Sequence, residues 1–255
     1  MTIPASWMPA AKMARVICHW SAGRHEASSV DRQHYHLIIE DDGNLVRGDL
    51  SIKANEAPIR GNYAAHTLGT NTGSIGVALA CMVGAIENPF RAGVAPMTAT
   101  QWETLIEVVA DLCRRYGIEP TPTTVLSHAE VQANLGNRQR GKWDFTRLAF
   151  DPDIVGACTI GDRLRMAVGI AMAGGAVRAI EEPAAAETGA PGDMELRGAT
   201  TAGWLNFRRA PDGEIIGGLP RGTAIAIVDS DDGWYRARTP GGHLGWVSAR
   251  YVSLT

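Results

Sequence analysis

The sequence has no apolar run long enough to cross a bilayer. Its most hydrophobic stretch, Met166 to Val177, is rich in Ala and Gly and falls well short of the roughly 20 residues a spanning helix needs. It also has no excess of positive charge. Lys and Arg number 24 against 27 Asp and Glu, a net charge of −3, which argues against broad, electrostatically driven binding of nucleic acid. There is no Cys-x-x-Cys pair: Cys18, Cys81, Cys113 and Cys158 are scattered, so reduced, mostly buried thiols are expected in place of a disulfide framework. Met1-Thr2-Ile3-Pro4 lacks a basic region followed by an apolar core, so no ordinary secretory signal is visible and synthesis in the cytoplasm is expected.

What remains has the make-up of a globular protein. At 45% hydrophobic and 20% charged over 255 residues, the chain can bury a substantial core and fill one domain or two. Residues 14–20 read as a short buried strand ending in Cys18-His19-Trp20. Neighbours on a strand face opposite ways, so Cys18 and His19 cannot easily ligate one metal, and His19 is the better placed. Ser28 to Gln33 suits a single helical turn. Tyr35–Glu40 and Leu45–Arg47 flank Asp41-Asp42-Gly43-Asn44, a β-hairpin signature.

Residues 50–73 are loop-like, and Ser74–Cys81 follows as a buried strand. Thr98-Ala99-Thr100-Gln101 has the form of a capping box. Behind it Trp102, Leu105, Ile106, Val109, Leu112, Cys113 and Tyr116 recur at helical spacing up to Gly117. The spacing predicts a helix over 98–116 whose aromatic residues belong to the core. Thr123–Ser127 reads as a further strand, and Asp162–Ile180 as a second helix.

From Gly174 the composition turns to Ala, Gly, Glu and Pro, which reads as a flexible linker over 174–202. Short apolar runs and Gly- or Pro-bearing turns then alternate over 203–255, the pattern of a small β-barrel. Two domains are therefore expected: 1–173, mixed α/β, and 203–255, all-β.

The chemistry gathers between Ser127 and Asp144. His19 and His128 each follow a β-rich apolar run, which suits two strand ends on one rim of a sheet, and Asp144 comes from the long loop after His128. Two imidazoles and a carboxylate suit zinc, which in catalytic sites gives three positions to protein and keeps one open. Spacing alone is a weak pointer, because a chain with seven histidines offers many such trios.

Four co-linear motifs go further: Val16-Ile17-Cys18-His19-Trp20; Tyr35-His36-Leu37-Ile38-Ile39 with Asp42-Gly43; Asn71-Thr72-Gly73-Ser74-Ile75-Gly76-Val77; and Ser127-His128-Ala129-Glu130-Val131. Over residues 12–150 the set resembles the type 2 N-acetylmuramoyl-L-alanine amidases, which include amidase-type phage lysozymes and are related to peptidoglycan recognition proteins. The resemblance implies a mixed sheet flanked by helices, a Zn2+ cofactor and a peptidoglycan substrate cut at the lactyl–L-alanine amide. It implies His19, His128 and Asp144 as metal ligands, with Lys142 and Tyr35 as catalytic groups. Two departures stand out. The interval from His128 to Lys142 is longer than in compact relatives, and the glutamate that many members carry after the Ser-Ile-Gly run is Ala78 here. Proton transfer then falls to Tyr35, Lys142 or water.

His66 and Asn71 are substrate-side positions by the same resemblance, though a plain loop role for His66 is an equal reading. His36 is expected in the core or behind a ligand, and Glu130 on a charged face or supporting one. Arg138 and Arg140 suit either the substrate's carboxylates or a solvated loop. Residues 204–254, with Leu205-Asn206-Phe207-Arg208, Gly233-Trp234-Tyr235 and Gly245-Trp246-Val247, resemble a bacterial SH3-type domain. That implies a wall-binding module with Trp234 as a contact, against the simpler reading of a barrel-core tryptophan. The expected protein is a monomeric, endolysin-type wall amidase that meets the wall after release or export and neither binds nucleic acid nor inserts in membranes. Its alternatives are a housekeeping recycling amidase and a non-catalytic recognition protein on the same fold.

Overall fold

The computed structural model describes residues 3–173, 196–202, 204–213, 215–239 and 243–255. The chain divides into two compact units, 1–174 and 175–255.

The first unit is built on a five-stranded mixed sheet. Its strands are β1 (Arg15–Trp20), β2 (Leu37–Ile39), β3 (Leu45–Arg47), β4 (Ser74–Leu79) and β5 (Val125–Ser127), in the order β3-β2-β4-β1-β5. All pairs are parallel except the β2–β3 hairpin at one edge. β1 and β4 are buried along nearly their whole length, as central parallel strands must be.

Helices close the layers. α1 (Ser29–His34) starts at a Ser28–Asp31 capping box. α2 (Ala99–Tyr116) carries the Thr98–Gln101 box and stops at Gly117, whose φ of +66° is open to glycine at no steric cost. Its buried face, with Trp102, Leu105, Ile106, Val109 and Leu112, lies against β1, β2 and β4. α3 (Val131–Leu135) is a short helix after β5, and α4 (Ala157–Met172) packs on α2 and β5. α4 departs from the expected 162–180. It begins five residues earlier, behind Gly156 with no side-chain cap to announce it, and residues 174–180 lie outside those described. Cys18, Cys81 and Cys113 are buried and free, while Cys158 is exposed. Among the described residues no helix is long and apolar enough to cross a membrane.

The second unit is an antiparallel seven-stranded sheet. It comprises β6 (Leu196–Thr200), β7 (Trp204–Arg208), β8 (Ile215–Pro220), β9 (Ala224–Asp231), β10 (Trp234–Arg238), β11 (Leu244–Ser248) and β12 (Val252–Leu254), in the order β12-β6-β9-β10-β11-β7-β8. Leu205, Phe207, Leu219, Ile225, Ala237 and Val247 form its core. The expected linker lies outside the described residues over 174–195. Its last part differs from the expectation: residues 196–200 are β6, paired with β9 and β12.

Candidate metal centre

The parallel register brings the two expected ligand histidines to one level. Cys18 on β1 pairs with Ser127 on β5, so His19 and His128 are each the next residue along neighbouring strands. His19 stays inside β1, directly beside Ala78 of β4. His128 opens a 3-10 turn, whose Ser127–Glu130 capping box fixes its exit from the strand.

Asp144 arrives from the other side, between two anchored aromatic residues. Trp143 meets Trp20 edge-on at 4.8 Å, and Phe145 stacks on the same indole at 5.6 Å. Trp20 follows His19, so the carboxylate is pinned beside the imidazole. Phe145 is buried at a φ of +65°, a conformation that a bulky side chain adopts only where its surroundings hold it.

His19 Nδ1 and His128 Nδ1 are 3.0 Å apart, and Asp144 Oδ2 lies 3.6 Å and 3.5 Å from them. All three residues are buried. Tetrahedral zinc with bonds of about 2.0–2.1 Å spaces its ligand atoms ~3.3 Å apart; the triangle matches one face of that tetrahedron. Both rings turn Nε2 away, His19 to His66 Nδ1 at 3.2 Å and His128 to Gln139 Oε1 at 2.9 Å. Two Nδ1 atoms and a carboxylate oxygen then face one point. Two imidazole nitrogens and a carboxylate oxygen are a donor set that suits zinc, so the residues fit the metal.

The electrostatics agree. Burial lowers the His19 pKa to about 4, from an ordinary 6.5, against the pull of Asp144, and leaves the ring neutral at pH 7. Burial alone would raise the Asp144 pKa, but its interactions with His128 and His19 outweigh it and hold the carboxyl well below the usual range. A neutral imidazole at His19 and an ionised carboxylate at Asp144 are protonation states that suit a divalent metal.

Tyr35 and Lys142 stand around this trio. The Tyr35 ring is 5.1 Å from that of His19. Burial, and then the charges of Asp144 and Asp31, raise its phenol pKa, so the hydroxyl keeps its proton at neutral pH. Lys142 is exposed, and its charge reaches His19, where it disfavours a protonated ring.

The two expected substrate-side positions lie on the loop that packs against His19. His66 is buried behind His19, and its ring fills the space beside Gly76, where a Cβ would come within 2.5 Å of a ring carbon. Asn71 Oδ1 accepts from the backbone N–H groups of His66 and Thr67 at 3.0 Å and 2.8 Å, bracing the loop. His36 is also internal, accepting from Gly76 N–H at Nδ1 and facing Asn55 Oδ1 through Nε2. Trp234 lies in the second unit, partly buried under the Arg208 guanidinium at 5.7 Å. Arg138 and Arg140 are exposed.

Three residues escaped the sequence reading, Gln139, Arg165 and Cys81, while Glu130 takes the supporting role that was one of its two expected readings. Gln139 is buried behind His128. Glu130 accepts from Ser127 N–H at 2.8 Å and from Arg165 at 2.9 Å, and Arg165 also donates to Val125 O at 2.9 Å. This buried ion pair ties α4 to the turn that carries His128. Gly161 makes room for it, since a Cβ there would fall 2.1 Å from the Glu130 carboxylate. Only the Asp162–Arg165 spacing hinted at a pair. Cys81, buried and sensing the Asp144 charge, is the third, with no signal in its spacing.

Residues 9–144 match the family model of N-acetylmuramoyl-L-alanine amidases, and residues 204–253 match that of the bacterial SH3 domain. Among solved structures, the chain is similar to the E. coli N-acetylmuramyl-L-alanine amidase AmiD, in complex with its substrate anhydro-N-acetylmuramic acid-L-Ala-D-gamma-Glu-L-Lys. The two are 21% identical with a TM-score of 0.34, and the likeness covers 47% of this chain and 50% of that one. Comparison with curated proteins gives no match.

Proposed function

The chain belongs to the N-acetylmuramoyl-L-alanine amidase family, and from that membership we propose that it hydrolyses the lactyl–L-alanine amide of bacterial peptidoglycan with zinc at His19, His128 and Asp144. The observation that carries this reading is the convergence of the three buried ligand atoms, all within 4.8 Å of one another. A zinc ion bound there supplies a Lewis acid and an activated water at neutral pH.

The chain's own groups do the rest. Lys142 offers a fixed ammonium to the negative charge that develops on the amide oxygen. The Tyr35 hydroxyl, protonated at neutral pH, donates to the departing amine nitrogen and holds or relays its proton. β4 places Ala78 beside His19, so that strand position brings no carboxylate, which supports giving the proton to Tyr35. His66 and Asn71 stay the proposed substrate-side positions, His66 against His19 and Asn71 bracing the loop that carries it.

The SH3-type unit supports an endolysin-type role. A module that holds the wall raises the amidase's local concentration at an insoluble substrate, with Trp234 as its proposed contact. The proposal keeps the catalytic domain at 1–173 and moves β6, expected within the 174–202 linker, to the wall-binding side beside 203–255, because it pairs with β9 and β12.

The test is incubation of the purified chain with sacculi, with and without a chelator, scoring newly exposed L-alanine amino termini. Release that the chelator abolishes is expected. Chelator-resistant release, or binding with no release, overturns the zinc-amidase reading.

A further inference from the structure

The excursion from Gln132 to Gly141 separates His128 from Lys142, and its buried glutamine makes more contacts than a space-filling residue requires. Gln139 Nε2 donates to two backbone carbonyls, Leu68 O at 2.9 Å and Asn137 O at 3.1 Å. Carbonyl oxygens only accept, so the amide nitrogen must face them, and Oε1 is left 2.9 Å from His128 Nε2. An amide oxygen accepts but cannot donate. His128 must therefore carry its ring proton on Nε2, which leaves Nδ1 bare toward His19 and Asp144.

The same excursion reaches the loop behind the other imidazole. Asn137 Nδ2 donates to Thr70 Oγ1 at 2.8 Å and Gly69 O at 3.4 Å, while Gln132 Oε1 accepts from Gln139 N–H at 3.2 Å. Asn71 in that loop braces His66, whose Nδ1 faces His19 Nε2. His66 Nε2 points at Ser74 O at 3.5 Å, which favours a proton there and an acceptor at Nδ1.

We propose that Gln139 is a positioning residue that sets the His128 tautomer for metal binding. Together with Asn137 it fastens the 132–141 excursion to the 66–71 loop, so that one part-buried polar network orients both ligand imidazoles. The inference rests on the metal reading above. It gives the long His128–Lys142 interval a task, that of carrying Gln139 to His128 Nε2.

The test uses the full chain and measures zinc affinity by competition with a chromogenic chelator. Gln139→Leu, of similar size but without polar atoms, should bind zinc 10–100-fold more weakly than wild type, the usual effect of losing a group behind a metal ligand. Gln139→Glu, which keeps an acceptor oxygen for Nε2–H, should recover part of that loss. Nitrogen-15 NMR of the metal-free wild type should place the His128 proton on Nε2, a readout that needs no variant to fold. Wild-type zinc binding with Gln139→Leu within twofold of it, or a proton found on Nδ1, overturns this inference and leaves the metal centre standing. Failure of the wild type to bind zinc overturns both.

Discussion

His19 reaches the proposed metal centre from the middle of a sheet, whereas His128 and Asp144 reach it from a turn and a loop. The strand half is positioned by backbone pairing: β1 is hydrogen-bonded to β4 on one side and β5 on the other, with His66 and Thr67 behind the imidazole and the Tyr35 ring beside it. The loop half has no such ladder. His128 is held by the Glu130–Arg165 ion pair and Gln139, and Asp144 by two aromatic residues clamped on Trp20. A ligand on a strand is cheap to position and visible in sequence. A ligand on a loop depends on buried polar and aromatic groups far away along the chain.

Removing a ligand from either half should erase the comparison altogether. His19→Ala and Asp144→Ala are each expected to abolish zinc binding and amide hydrolysis, read by metal content and by release of L-alanine amino termini. Lys142→Ala should lower turnover by about 10²–10³-fold, the effect of losing one stabiliser of developing charge, with bound zinc unchanged; loss of zinc as well would move Lys142 from catalysis to structure. Next in size is the clamp of the loop half. Arg165→Ala leaves Glu130 buried and unpaired and should destabilise the first unit by about 3–5 kcal/mol in denaturant unfolding. A loss below about 1 kcal/mol would mean that α4 does not support His128.

The strand half has its own signature, in pH. Burial lowers the His36 pKa to about 4 from 6.5, outweighing the Asn55 oxygen at Nε2. The unfolded chain therefore takes up a proton first as pH falls, and the stabilisation present above pH 6.5 is lost between 6.5 and about 4. The loss is on the order of 3 kcal/mol. His36→Gln should lessen the fall in melting temperature of the metal-free protein across that window, the remainder coming from buried His19 and His66, which are shifted the same way. The smallest effect lies in the second unit: Arg208→Ala removes the cation over Trp234 and should cost only about 0.5–1 kcal/mol, with hydrolysis of soluble muropeptides untouched.

Much of this was legible because it is written in local pattern. The Thr98–Gln101 box and Gly117 bounded α2 to within a residue, and the apolar runs before His19 and His128 put both at one rim. Other features were not, for reasons of distance. Gln139 acts on a ring eleven residues away through a loop without periodicity. Arg165 is 35 residues from Glu130, and α4 begins at Gly156, which carries no capping side chain to announce it. β6 sits at the end of an Ala- and Gly-rich stretch, yet pairs with β9 because pairing needs backbone more than side chains. His66 reads as a loop histidine until Gly76, ten residues on, is seen to vacate the space its ring fills.

X-ray absorption of the zinc-loaded chain tests the central claim most directly. The account predicts one zinc with two imidazoles and only light-atom neighbours at about 2.0–2.1 Å, the signal collapsing in Asp144→Ala. A sulfur neighbour at about 2.3 Å would place Cys81 or Cys18 in the site. That result, or a spectrum with a single imidazole, would contradict the His19–His128–Asp144 centre.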